Sequence, residues 1–347
     1  MLVCVTGGTG FVGAHSVAAI LRAGHRVRVL ARDLAAVPPA LEPLGVAPGA
    51  VEVVPGDVLD ETAVARAVRG VDAVLHAASV YSFDPRRRRD LAATNEAGTA
   101  IVLEAAGGAG VRRTVYVSTV GALFPSPGPL DTTSPVGGAR EPYLASKAAA
   151  ERIARRYQDD GAPVAITYPP ALLGPHDPRI GDQTTRLLAT LRGLTPIWPA
   201  GGFPFGDVRD TAELHASLIA GDGAGRYFGP GRYVATRQYL DTLREVTGRR
   251  LPVVRLPAVS LLPVGVLAGL LQRVWPWHIP AEYGAIYTCA HATAVSETAP
   301  TGGVPARPVA ATIADTVAWL HQKGLLSDRA AGRLAVREAP ADHHVRG

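Results

Sequence analysis

Apolar and polar positions fall into a repeating order along the first half of the chain. Short apolar runs alternate with stretches whose apolar residues lie three and four apart. Val3-Cys4-Val5 is the first run, and it leads into a glycine-rich turn. Ala14 to Ala23 follows, with Val17, Ala18, Ile20 and Leu21 at helical spacing. Arg26 to Ala31, Val51 to Val54, Ala73 to His76 and Arg113 to Thr119 repeat the short run. Asp60 to Val68, Leu91 to Ala106 and Pro142 to about Tyr157 read as helices between or after them. Strand and helix in alternation predict an α/β fold with a doubly wound parallel sheet, helices covering both faces.

The pattern is looser beyond residue 175. Ile180 to Phe205 leaves the sheet, rich in Leu, Pro and Gly. Thr211 to Ile219 reads as a helix and Arg226 to Phe228 as a late strand. Thr236 to Thr247 is an amphipathic helix stopped by Gly248. Leu251 to Leu256 is a short strand, and Val309 to Gln322 is the last helix. Leu261 to Trp277 is apolar and is expected to roof a substrate pocket; a membrane-skimming helix, core packing and a dimer contact are its rivals. Arg255 and Arg273 are its few charged neighbours, whereas interfacial helices carry a strongly polar face. The charge-free stretch Leu256 to Gln272 has 17 residues and two prolines, short of a membrane span.

Composition narrows the classes. A chain of 347 residues is expected to hold a main domain and a smaller C-terminal α/β lobe, and 47% hydrophobic content allows a large core. The +5 net charge hints at anionic ligands. Its one dense basic run, Arg86 to Arg89, has no interleaved aromatics, so no nucleic-acid partner is expected. That run reads as a solvated helix start or a phosphate contact. Cys4 and Cys289 lie far apart, which fits a reducing cytoplasm. With the first strand beginning at once, no signal peptide is expected. His343-His344 lack partners for a metal site, so no metal is expected.

The chemistry concentrates in two places. Gly8-Thr9-Gly10-Phe11-Val12-Gly13 sits between a strand and a helix, where glycines let the backbone approach a pyrophosphate. Residues 1–175 are therefore expected to form a dinucleotide-binding domain to which 206–230 return. Residues 176–205 and 231–325 are left for a substrate-binding lobe, and 327–347 for a frayed tail. At the end of the second strand Arg32 precedes Asp33. Arg32, helped by Arg28, would pair with the 2′-phosphate of NADP(H); alternatively Asp33 takes the ribose of NAD(H) and Arg32 faces solvent. Asp57 is placed to accept from an adenine amino group. His76 reads as a packed strand-end histidine or a base. Asn95 reads as a brace, or as part of a water chain.

The second place is Tyr143-x-x-x-Lys147, on one helix face. An ammonium beside a phenol favours the phenolate and lowers its pKa, giving a tyrosine that exchanges protons near neutral pH. Ser118 and Thr119, 25 and 24 residues earlier, supply a hydroxyl at a strand end.

Together these residues resemble the extended short-chain dehydrogenase/reductase family, the NAD-dependent epimerase/dehydratase group. The resemblance is carried by Thr6-Gly7-Gly8-Thr9-Gly10-Phe11-Val12-Gly13, Gly56-Asp57-Val58, His76-Ala77-Ala78, and Asn95 with Gly98-Thr99. It continues through Tyr116-Val117-Ser118-Thr119, Tyr143-x-x-x-Lys147, Tyr168-Pro169-Pro170-Ala171-Leu172-Leu173-Gly174-Pro175 and Gly206-Asp207-Val208-Arg209-Asp210. It implies a Rossmann fold and a hydroxyl–tyrosine–lysine triad of Thr119 (or Ser118), Tyr143 and Lys147. It also implies that the cofactor lies against Gly7, Thr9, Gly10, Phe11, Val12, Gly13, Arg32, Asp57, Val58, Ala77, Ala78, Tyr143, Lys147, Pro170 and Leu172. A homodimer is a further implication. Val120-Gly121 stand where 4,6-dehydratases carry an Asp-Glu pair, and Gly202-Phe203-Pro204-Phe205-Gly206 replace an epimerase arginine. The chain is most similar to the dihydroflavonol-reductase and 3β-hydroxysteroid-dehydrogenase branch. The activity this implies is NADP(H)-dependent hydride transfer to or from a small, fairly apolar carbonyl or secondary alcohol. A sugar-nucleotide epimerase with NAD and a silent NADP-binding regulator are the alternatives.

Overall fold

The computed structural model describes residues 1–221, 224–272 and 283–335. Twelve strands are numbered in chain order. Seven of them form one parallel sheet: β1 (Leu2–Thr6), β2 (Arg26–Ala31), β3 (Val51–Pro55), β4 (Ala73–His76), β5 (Arg113–Val117), β6 (Val164–Tyr168) and β10 (Gly225–Phe228). Their spatial order is β10-β6-β5-β4-β1-β2-β3, so the chain winds outward both ways from the β1–β4 junction. That junction is the topological switch point, where ligands of open parallel sheets bind. The fold is Rossmann-like.

The strands form where the apolar runs predict. Val3, Val5, Val27, Val29 and Val115 are buried in one continuous core with Val17 and Ile20 of the Phe11–Arg22 helix. Each such side chain contributes about 1.5–3 kcal/mol by leaving water. Leu214, Leu218 and Ile219 of the Val208–Ala220 helix complete that core. Residues 208–220 thus return to the sheet before β10 closes its edge. β6 went unnamed as a strand in the reading above, yet all five of its residues are buried.

The second half builds a smaller lobe. β7 (Ala171–Leu173) pairs parallel with β9 (Gly202–Asp207), and β9 pairs antiparallel with β11 (Arg232–Ala235). β8 (Ile197–Ala200) pairs with β12 (Val254–Pro257). The core here is aliphatic and aromatic, with Trp198, Phe205, Tyr239, Leu240 and Leu320 buried together. Asp207 and Asp210 stitch this lobe to the sheet half. Asp207 accepts from Thr312 Oγ1 at 2.8 Å, and Arg307 pairs with Asp210.

Two expectations are corrected. The stretch from Ser327 does not fray at its start. Ser327 caps the Asp328–Ala331 helix, and Ala331 is buried in the lobe core; residues 336–347 lie outside the described residues. The Ala258–Leu271 helix is not a pocket roof. It packs against the Tyr283–His291 helix where Gly265 meets Tyr283 and Ile286. It is the latter helix that faces the cleft, while Val259, Leu267 and Leu270 stay exposed. Trp275 and Trp277 lie outside the described residues. Among the described residues no helix is long and apolar enough to cross a membrane.

Candidate active site

A cleft of about 710 Å³ runs over the C-terminal ends of the sheet strands and into the lobe. One end is the glycine turn. Gly7 has φ of +74°, and an added Cβ there would lie 2.6 Å from the Ala78 amide nitrogen. An added Cβ on Gly13 would meet the Gly7 carbonyl oxygen at 2.1 Å, so the helix start can only close on the turn without a side chain. Gly10 caps the Phe11–Arg22 helix with no side-chain acceptor, and no acidic residue stands in its first turn. The leading N–H groups and positive helix end are therefore open to an anion. This cradle fits a dinucleotide diphosphate.

The remaining residues expected at the cofactor line the same cleft: Thr9, Phe11, Val12, Arg32, Asp57, Val58, Ala77, Ala78, Tyr143, Lys147, Pro170 and Leu172. Asp33 lines it too, but its carboxylate accepts from Ala35 N at 2.9 Å and caps a local turn. Arg32 stands within 3.5 Å of Asp57, whose own carboxylate accepts from Leu59 N. This exposed pair is worth little by itself. Arg28 does not join Arg32. It pairs with Glu52 and donates to the carbonyls of Ala67 and Arg69, turned away from the cleft.

Tyr143 sits one residue inside the Pro142–Asp159 helix, which Glu141 caps through Leu144 N at 2.8 Å. Lys147, one turn on, is 3% exposed. Its Nζ donates to the Val117 carbonyl at 2.9 Å and to the Tyr116 hydroxyl at 3.4 Å. Burial lowers its pKa to about 8, with Glu151 working against the drop. The expected depression of the Tyr143 pKa is not what the protein groups produce. Burial holds the phenol well above its ordinary value, and Tyr81, Glu141, Tyr116 and Asp182 add to the rise. The lysine is committed to β5, and burial dominates the phenol. Tyr143 is thus a protonated phenol at neutral pH.

Ser118 and Thr119 differ in setting. The Ser118 hydroxyl is buried and has no hydrogen-bond partner among the described residues. Thr119 is partly exposed to the cleft, accepts from Gly121 N at 3.2 Å and donates to the Pro169 carbonyl at 3.4 Å. Both line the cleft. Asn95 braces: it lies in a widened, π-type turn over Ala92–Ala97 and bonds Ser79, Val80 and Ser146. His76 is packed between Thr6 and Thr99, its pKa lowered to about 3 by burial and then by Lys147. It is no base at neutral pH. Cys289 lines the cleft, but burial pushes its thiol up to about 11.

Several residues of the cleft were not singled out from the sequence. Tyr81 and Phe83 hold the Tyr143 ring edge-on at 4.7 and 5.7 Å between centroids. Their signal is two aromatics just past a strand end that faces the switch point. Arg179 reaches Thr9 Oγ1 at 3.3 Å across 170 residues of chain, and nothing local announces it. Arg87, from the basic run, stands on the cleft wall and pairs with Asp90.

A family model, described as the NAD dependent epimerase/dehydratase family, matches residues 3–227. The chain belongs to that family. Among relatives, sterol demethylase protein B of Methylococcus capsulatus is 29% identical over 335 residues, covering 94% of this chain and 100% of that protein. Cinnamoyl-CoA reductase 1 of Oryza sativa subsp. japonica is 32% identical over 266 residues, 72% of this chain and 76% of the reductase. Among solved structures, gox2253 superposes with a TM-score of 0.76 at 26% identity, covering 94% of this chain and 99% of that one. This family member is an oxidoreductase of the short-chain type.

Proposed function

We propose that this protein is an NADP(H)-dependent reductase of small, fairly apolar carbonyl compounds. The observation that carries the reading is the continuity of one cleft. It joins the glycine cradle, through Tyr143, to a wall made by Trp198, Phe203, Phe205, Tyr239 and Ile286. Arg186 also lines that end but donates to Gln183 Oε1 at 3.1 Å, and β9 itself offers rings and no arginine, so that end suits an apolar group better than a second diphosphate. The relation to a cinnamoyl-CoA reductase supports the same direction of chemistry.

The roles follow from the geometry. The cofactor, when bound, supplies the hydride. Gly7, Thr9, Gly10 and Gly13 would hold its diphosphate, and Ala77, Ala78, Pro170 and Leu172 would flank it. Tyr143, kept protonated by burial, gives its proton to the carbonyl oxygen as charge develops there. Thr119 turns its hydroxyl from the weak 3.4 Å contact with Pro169 to that oxygen. One such preorganised donor is commonly worth about 3 kcal/mol. Ser118, buried without a partner, is the second candidate. Lys147, held on the Val117 carbonyl, would present its charge toward the cofactor ribose.

The NADP(H) preference rests on the two side chains at the end of β2. Asp33 is engaged in its own turn, whereas Arg32 lies exposed in the cleft with only an exposed carboxylate beside it. A 2′-phosphate offers Arg32 a bidentate partner. The experiment is a titration of purified protein with NADPH and NADH, followed by nicotinamide fluorescence. Tight NADPH and weak NADH binding is expected, followed by NADPH oxidation when apolar ketones and aldehydes are added. The opposite preference would put Asp33 on the ribose and bring an NAD-dependent epimerase forward.

A further inference from the structure

We propose that Arg179 is a cationic clamp that closes over the cofactor diphosphate from the side of the second lobe. Its Nη2 donates to Thr9 Oγ1 at 3.3 Å, in the middle of the glycine turn, and both residues line the cleft. Arg179 is exposed, and among the described residues its guanidinium pairs with no carboxylate. It stands beside the start of the Phe11–Arg22 helix, which carries the positive end of a helix dipole and no acidic residue in its first turn. A guanidinium next to that end puts two positive groups on one side of the turn. An anion lying between the two would satisfy both at once, with charge-assisted hydrogen bonds from the fork and from the helix N–H groups.

The loop that carries Arg179 is anchored on both sides of it. Asp177, 4% exposed, accepts from Arg179 N, Gly181 N and Thr184 Oγ1. His15, one turn into the glycine-turn helix, meets the Pro175 carbonyl oxygen at 3.0 Å. The backbone is thereby held against the helix while the side chain keeps its freedom. The clamp deepens the dinucleotide reading of the cleft and rests on it. It does not depend on which dinucleotide binds, because the diphosphate is common to NAD(H) and NADP(H). A clamp here differs from Arg32, which would touch only the 2′-phosphate.

The test measures Kd for NADPH and NADH with wild type, Arg179→Gln and Arg179→Lys. Glutamine keeps a donor for Thr9 and removes the charge. The clamp predicts that Arg179→Gln weakens both dinucleotides by the same factor, on the order of tenfold. Arg179→Lys should recover part of that loss, since a point charge still meets a phosphate. Because the side chain is exposed, neither change is expected to shift the ligand-free melting temperature. If the glutamine variant nevertheless misfolds, the lysine variant carries the same comparison, and equal partial losses for both dinucleotides support the clamp. Unchanged affinities overturn it, and so does a loss confined to NADPH, which would move Arg179 to the 2′-phosphate. Wild type that binds neither dinucleotide sinks the cofactor reading and the clamp with it. Normal wild-type binding beside an unaffected variant sinks the clamp alone.

Discussion

The two halves of the cleft are made of different material. The sheet half places its groups through backbone and buried polar networks. His76 is held by Thr6 and Thr99, His215 by Ser16 and Thr167, and Asn95 by four bonds to Ser79, Val80 and Ser146. The lobe half presents rings: Trp198 stacks with Tyr239 at 5.6 Å, and Phe203 meets the same tyrosine edge-on at 5.7 Å. Hydrogen bonds are directional and admit one arrangement, whereas apolar contacts are not and tolerate repacking. The sheet end of the cleft is thus rigid in chemistry and the lobe end adjustable in shape. Tyr143 stands on the seam, with its helix in the sheet half and its ring between Tyr81 and Phe83.

The largest effect should come at that seam. Tyr143→Phe keeps the ring packing and removes only the proton. Turnover is expected to fall by about 10²–10⁴, the usual worth of a positioned acid, while Kd for NADPH stays at the wild-type value. Steady-state rates together with a fluorescence titration separate the two quantities. Wild-type turnover would remove Tyr143 from the mechanism, and loss of cofactor affinity would move its role into the cradle.

A smaller effect tests the contrast itself. Gly13→Ala puts a methyl 2.1 Å from the Gly7 carbonyl oxygen, against backbone that cannot yield. A cost on the order of 3 kcal/mol is expected, at the upper end of overpacking penalties, together with loss of binding for both dinucleotides. Phe203→Leu in the lobe should cost less than about 1.5 kcal/mol, as volume-tolerant apolar changes do, and leave cofactor affinity alone. Urea denaturation and cofactor titration of both variants give the answer. Equal costs would mean that the lobe is as sharply specified as the cradle.

The same contrast explains what could be read from the residues in order. β1, the glycine turn, β2, β4 and the Tyr143 helix follow from local periodicity and spacing, because a parallel sheet writes its strands as short apolar runs between helices. The Thr236–Thr247 helix and its Gly248 stop were legible for the same reason; Gly248 has φ of +68°. The cleft wall was not. An all-apolar stretch such as Ala258–Leu271 looks like a buried roof, yet its buried contacts are the small residues Ala258, Gly265 and Ala268, and its large side chains face outward. The Tyr283–His291 helix, with no strong periodicity, faces the cleft in its place. The contact of Arg179 with Thr9 and the capture of Lys147 by β5 are made only after folding.

The smallest effect per residue concerns acid. His15, His76 and His215 are all buried in the sheet half, and burial lowers their pKa values to about 4, 3 and 3. In the unfolded chain each titrates near its ordinary 6.5, so below that pH the unfolded state binds more protons. Stability is then lost as pH falls through 6.5 and keeps falling until the folded-state values are reached. At pH 5.5 each histidine costs about 1.4 kcal/mol, one pKa unit of unequal protonation. None of the three belongs to the lobe core, whose buried residues are aliphatic and aromatic. Amide exchange should therefore show the sheet half losing protection before the lobe between pH 7 and 5. His215→Gln, which removes one titrating ring from between Ser16 and Thr167, should flatten the slope of stability against pH by about a third of the three-proton total. An unchanged slope would mean that this histidine is already charged in the fold, and simultaneous loss of protection in both halves would mean that the lobe depends on the sheet for its own packing.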